Sequence, residues 1–171
     1  KMGDFGVRAD AALRHHAKRG HIRGIALALK AKADPTISKC DERGRTALHL
    51  AALHCKSNVI SYLLKNTQCN INQPTLKGCT ALSYAVMSSN DDEDSSIAFR
   101  LVKELVDQKA NLESRDNNGW TPLMLATACD DRQVVKYLVE VAKANILTET
   151  NEGKGVLEWA GSGVRGLVAF S

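Results

Sequence analysis

Aromatic side chains are scarce in this sequence, with three phenylalanines, three tyrosines and two tryptophans among 171 residues. Proline occurs only three times. Alanine and leucine fill the apolar positions instead, which favours helices over a β-sandwich built from β-branched and aromatic strands. No apolar run approaches the ~18 residues that would cross a bilayer as a helix, and no signal peptide is recognisable. Both ends, "KMGDFG" and "GLVAFS", break off in mid-pattern and read as boundaries within a longer protein. The five cysteines, Cys40, Cys55, Cys69, Cys79 and Cys129, are odd in number and never at CxxC spacing. Neither a disulfide framework nor a zinc knuckle is implied, and a reducing compartment is the natural setting. An intracellular location, cytoplasmic or nuclear, is expected on that ground.

The chain is 44% hydrophobic and 25% charged, ordinary for a globular domain and long enough for a real core. What stands out is repetition. The phrase "GRTALHLAALH" from Gly44 returns as "GCTALSYAV" from Gly78, "GWTPLMLATA" from Gly119 and, fainter, "GKGVLEWAG" from Gly153. A leucine follows each glycine by four residues (Leu48, Leu82, Leu123, Leu157), and an alanine follows three later (Ala51, Ala85, Ala126, Ala160). That spacing puts both on one face of a short helix. Thr46, Thr80 and Thr121 precede the leucines by two, where a hydroxyl can cap free N–H groups, and Pro122 suits a first helical turn. A second apolar helix follows in "NVISYLL", "FRLVKELV" and "RQVVKYLVEV", then a polar, turn-rich stretch. No such unit buries its apolar face alone, but a stack of them does.

These residues resemble the ankyrin repeat family, whose unit is about 33 residues with a T-P-L-H-x-A signature. The match is "TALHLAA" at 46–52, "TALSYAV" at 80–86 and "TPLMLAT" at 121–127, with unit tails echoed in "KADPT", "CNIN", "KANLE" and "KANIL". A first unit at 11–34 carries Ala17, Gly20 and His21 in register. The resemblance implies an all-α solenoid of helix-turn-helix units joined by β-hairpin-like loops, a single domain over 1–171. The units fall near 6–40, 41–74, 75–115, 116–149 and a truncated 150–171. The family's histidine after the leucine survives only as His49, its counterparts being Arg14, Ser83, Met124 and Glu158, so a broken hydrogen-bond ladder is expected. Unit three is long by about eight residues, placed as an extruded acidic loop at 88–96.

Catalytic chemistry finds no foothold. His49 and His54 stand at i, i+5 rather than the i, i+4 of a helical zinc pair, and His15, His16 and His21 lack cysteines at finger spacing. No G-x-S-x-G elbow occurs, and "GSGVRG" at 161–166 lacks the lysine and hydroxyl ending of a phosphate loop. "DDED" at 91–94 lacks calcium-loop spacing. No catalytic, cofactor-binding or metal-binding residue is expected.

The resemblance places function in binding another protein on the concave face of hairpin tips and inner helices, by a domain that is monomeric by default. Outward positions there are Glu42, Arg43 and Arg45, then Leu76, Lys77 and Cys79, then Asn117, Asn118 and Trp120. Along the inner helices they are Leu53 and His54, Met87 and Ser88, Ala128 and Cys129. Trp120 is the candidate anchor, since tryptophan and arginine dominate interface energetics. Trp159 is expected to close the C-terminal end. Asp91, Asp92, Glu93 and Asp94 are a candidate docking loop for a basic partner. Two other readings stay open. One is a regulatory or substrate-recruiting segment of a larger enzyme. The other is an anionic-surface binder, for nucleic acid or acidic lipid, acting through residues 1–32, where eight cations face two carboxylates. Nucleic acid is the weaker partner because Phe5 is alone there as an aromatic for stacking on bases.

Overall fold

Helices of seven residues are far shorter than the roughly 12–15 that hold together alone in water, so each must be stabilised by a neighbour. The computed structural model describes residues 3–36, 40–88, 95–161 and 164–169. Four helix pairs run α1 (Gly3–Arg19) and α2 (Ile22–Lys30), α3 (Ala47–Leu53) and α4 (Ser57–Asn66), α5 (Ala81–Met87) and α6 (Ser95–Asp107), then α7 (Pro122–Ala128) and α8 (Arg132–Lys136). A 3₁₀ turn (Val156–Glu158) and α9 (Arg165–Ala169) follow. No strand forms among the described residues; one isolated antiparallel bridge joins Glu149 and Gly155.

The pairs stack in two rows. In the inner row α1 packs on α3, α3 on α5, α5 on α7 and α7 on the 3₁₀ turn. In the outer row α2 packs on α4, α6 on α8 and α8 on α9. Leu48 and Ala51, Leu82 and Ala85, and Leu123 and Ala126 are all sealed from solvent, as are Ile60, Leu63, Leu101, Val102, Leu105, Val135 and Leu138. The repeated leucine fills the space between rows, and the repeated alanine lets adjacent inner helices approach. Each buried leucine contributes roughly 1.5–3 kcal/mol against the entropy of ordering the chain. The first pair reaches the same end differently. His16 takes the place of Ala51, and the outer-row counterpart of Val59 is Gly24, where a Cβ would lie 2.4 Å from the His16 ring. The large and small partners have exchanged rows.

Three departures from the sequence expectations have local causes. The fifth phrase does not start a helix like the others. Gly155 stands where the other copies have a threonine, so no hydroxyl is available, and the Glu158 carboxylate accepts the Gly155 N–H instead at 3.0 Å. The chain makes only a 3₁₀ turn, which buries Val156 and leaves Leu157 43% exposed. Second, α8 continues into a π-helical turn, Tyr137–Val141. Seven residues separate Leu138 from Asn145 against six from Leu105 to Asn111, and here the wide turn takes up the excess, whereas the same seven from Leu63 to Asn70 follow a regular α4 that ends at Asn66. Third, Thr46 caps α3 through a capping box shared with His49, while Thr80 and Thr121 have hydroxyls that accept directly from the Ser83 and Met124 amides. The Thr46 hydroxyl turns to the His49 imidazole, at 2.9 Å.

Candidate functional site

A tight tip precedes each of α3, α5, α7 and the 3₁₀ turn, and the tips are what this architecture presents. Gly44, Gly78, Gly119 and Gly153 close the tips with φ between 73° and 85°. Within a tip, one amide reaches across the turn: Asp41 N–H to the Arg45 carbonyl, Thr75 to Cys79, Asp116 to Trp120 and Thr150 to Lys154, at 2.9–3.0 Å. Between tips the backbone is stitched in register. Leu76 N–H donates to the Arg43 carbonyl at 3.2 Å, Asn117 to Lys77 at 3.0 Å and Asn151 to Asn118 at 3.0 Å. Asparagine amides double two of these rungs, Asn117 to the Leu76 carbonyl at 2.9 Å and Asn151 to the Asn117 carbonyl at 2.8 Å. The tip row is therefore fixed before any partner arrives.

The expected contact residues divide by what holds them. Arg43, Leu76, Lys77, Asn117 and Asn118 are exposed, Leu76 at 69%. Asn117 also serves the scaffold through its amide. Arg45 is pinned: its guanidinium Nε donates to Asp41 Oδ2 at 2.8 Å, while Asp41 Oδ1 accepts the Arg43 and Arg45 amides. Burial alone would raise the Asp41 carboxyl, but the Arg45 and Arg43 hydrogen bonds and the Arg45 charge outweigh it and hold its pKa below the usual 3.8. Trp120 is half-buried and stacks on Trp159, with ring centroids 4.4 Å apart, and Lys154 Nζ lies 5.0 Å from the Trp159 ring. Trp159 thus covers the last tip from below rather than entering the core. Leu53, His54 and Met87 are half-buried at the ends of α3 and α5. Ala128 is exposed and Cys129 half-buried.

Two positions expected outward are buried. Cys79 is 8% exposed beneath the next tip. Ser88 is equally covered: its hydroxyl donates to the Ala85 carbonyl at 2.8 Å and so accepts from the Cys55 thiol at 3.1 Å. Asp91, Asp92, Glu93 and Asp94 lie outside the described residues. Arg14, read from the sequence as part of the basic first unit, is half-buried. It sits in the register position of His49 and, with Cys40, Asp41, Glu42, Arg43 and Arg45, lines a hollow of about 530 Å³ at the first tip.

His49 is sealed in the core and ties two tips together. Its Nδ1 accepts the Thr46 N–H at 3.0 Å, and its Nε2 lies 2.8 Å from the Gln73 carbonyl. An amide can only donate and a carbonyl only accept, so the ring is neutral with its proton on Nε2. Burial lowers its pKa below 6.5 against the opposing pull of the Gln73 carbonyl. Ser83, in the same place one unit later, bonds Thr80 at 3.3 Å and reaches no further hairpin carbonyl directly. The expected break in the ladder is visible there.

Burial raises the thiol pKa of both Cys69 and Cys79, the reverse of an activated nucleophile. Among the described residues no cluster of three or more His, Cys, Asp or Glu side chains could hold a metal ion. What the tips and inner helices offer is an ordered row of exposed side chains.

Comparison with known proteins gives this row its context. A family model described as ankyrin repeats (3 copies) matches residues 13–94 and 95–168. The chain is 31% identical over 115 residues to the tyrosine-protein kinase Shark of Drosophila melanogaster, covering 67% of this chain and 11% of that protein. It is 31% identical over 108 residues to the RelA-associated inhibitor of Mus musculus, covering 63% and 12% respectively. To the neurogenic locus notch homolog protein 1 of Xenopus tropicalis it is 30% identical over 123 residues, covering 72% and 4%. The chain therefore spans no more than 12% of the length of these relatives.

Proposed function

Because the chain belongs to the ankyrin repeat family, whose members are generally protein-interaction modules, we propose that it binds a partner protein along its row of tips and inner-helix ends. The observation that carries this reading is the stitched tip backbone, which holds Arg43, Leu76 and Lys77 exposed and in fixed spacing. Side chains ordered in advance lose little freedom on binding, so contact energy is not spent on arranging them. Leu53 and Met87, half-buried behind the tips, supply apolar area next to the charged rim, the distribution usual for an interface. Catalysis is not part of this reading.

A second reading is compatible with the first at the level of the whole protein. The matched relatives include a tyrosine-protein kinase of which this chain spans 11%. In a parent of that kind the same face would recruit a substrate or regulator to another domain.

Affinity capture from source-cell lysate tests the face. Three forms are compared: the parent chain, an Arg43→Glu/Leu76→Ser/Lys77→Glu variant, and an Arg100→Glu/Lys103→Glu variant altered on outer helix α6. Circular dichroism confirms that all three fold. The expected result is a protein captured by the parent and the α6 variant and lost from the tip variant by at least about tenfold, as befits removal of central contacts. Equal capture by the tip variant, or loss confined to the α6 variant, would move the site off this face.

A further inference from the structure

The first helix pair has a surface unlike the rest of the chain. Between residues 8 and 32 there are seven lysines and arginines and a single carboxylate, Asp10. That carboxylate is only 4% exposed and accepts the Asp34 N–H at 2.7 Å, so it adds little negative charge to the surface. Lys18, Arg19, Arg23, Lys30 and Lys32 are all exposed. The charge over this end of the stack is predominantly positive, eight cations to two carboxylates within residues 1–32, and calls for an anionic partner.

One residue narrows which anion. Ile25 and Ala28 turn the apolar side of α2 into the core, at 0% and 5% exposure. Leu27 points the opposite way and is 66% exposed. Arg23, Leu27 and Lys30 fall at i, i+4 and i+7, so they form one stripe with a bare leucine between two cations. A phosphate polymer would use the cations and leave the leucine idle. Base stacking needs aromatic rings, and residues 8–32 contain no phenylalanine, tyrosine or tryptophan. At an anionic bilayer both kinds of side chain have a place, the cations at headgroup phosphates and the leucine below them among the acyl chains.

We infer that α2, through Arg23, Leu27 and Lys30 with Lys18, Arg19 and Lys32 around them, docks the chain on an anionic lipid surface. The inference does not depend on the partner face, because these residues lie on α1 and α2 and in the turn after them, away from the tips. Docking would leave the tip row free for a protein.

Sedimentation with vesicles tests it. Phosphatidylcholine vesicles are compared with vesicles containing about 30% phosphatidylserine, at low and at raised salt. The chain is expected to sediment only with the anionic vesicles and to be released as salt rises. Arg23→Ala/Lys30→Ala is expected to weaken partitioning roughly twenty-five-fold, at about fivefold per cation. Leu27→Ser is expected to weaken it roughly tenfold while leaving the salt dependence unchanged. The tip variant is expected to bind vesicles as the parent does. No sedimentation with anionic vesicles at low salt would overturn the inference. So would unchanged partitioning of Leu27→Ser, or tighter binding to duplex DNA than to the vesicles, which would assign the patch to nucleic acid instead.

Discussion

Gly78→Val is expected to destabilise the protein by about 4 kcal/mol, a large part of the 5–15 kcal/mol that holds a typical domain together. Two effects add. At φ +79° a β-branched side chain is strained by roughly 1–2 kcal/mol wherever it stands. In addition, a Cβ at Gly78 would lie 2.8 Å from Asp116 Cα and 2.9 Å from the Asn117 amide nitrogen. Those atoms are backbone of the next tip and cannot swing aside. Making room separates the tips and breaks the Asn117 amide bond to the Lys77 carbonyl, with the doubling bond from the Asn117 side chain to Leu76. Gly153→Val provides the internal control. Its φ is +73° but a Cβ there meets nothing within 4 Å, so only the backbone strain of about 1–2 kcal/mol is expected. Thermal unfolding of the two variants measures the difference. Equal losses would mean that the tips are not in the close register described.

His49→Leu is the second large effect, at about 3 kcal/mol. The leucine fills most of the space but leaves the Thr46 N–H and the Gln73 carbonyl without their ring partners, each costing roughly 1–3 kcal/mol when buried. A pH signature accompanies the loss. The His49 pKa is lowered in the folded state from 6.5, so the unfolded chain takes up a proton first as pH falls. Stability linked to this group is complete above pH 6.5. It declines as pH drops below that value, with a slope of at most about 1.4 kcal/mol per pH unit, until the folded ring itself protonates. The parent should therefore lose more stability than His49→Leu between pH 7 and acid, as denaturant unfolding at several pH values would register. A difference independent of pH would mean that the buried ring takes up its proton at the same pH as in the unfolded chain.

Much of this fold is legible in the chain because its information is local and repeated. Leu48 and Ala51 are spaced for one helix face, and the same spacing at Leu82 and Leu123 leaves no second register that buries all of them. The fifth copy shows the limit of that logic. Gly153 still makes its turn, so the phrase can be recognised, but without a threonine after it the turn tightens and Val156 replaces Leu157 inside. The π turn at Tyr137–Val141 is not legible from the count of residues, since Leu63 to Asn70 has the same spacing as Leu138 to Asn145 and α4 stays α-helical.

Register in the sequence locates the tips but does not say what holds each side chain there. Sequence register marks Arg45 and Trp120 as outward, and nothing local says that Asp41 holds the guanidinium or that Trp159 stacks beneath the indole. Those are contacts made by folding, and they hold both half-buried side chains against the scaffold. Arg43, Leu76 and Lys77 gain weight as contact residues because their tips are fixed while their side chains face solvent. Cys79 and Ser88 show the converse, since small side chains at outward register positions are covered by the adjacent tip or by Cys55.

The central claim is that the tip row is the surface that meets a protein. Methyl NMR of the chain, with leucine, isoleucine, valine and methionine labelled, tests it when the captured partner is titrated in. The account predicts selective shifts and broadening at Leu53, Leu76 and Met87, with Ile97, Val141 and Leu147 of the outer row and tails unmoved. Perturbation confined to Ile97, Val141 and Leu147, with Leu76 unchanged, would contradict it.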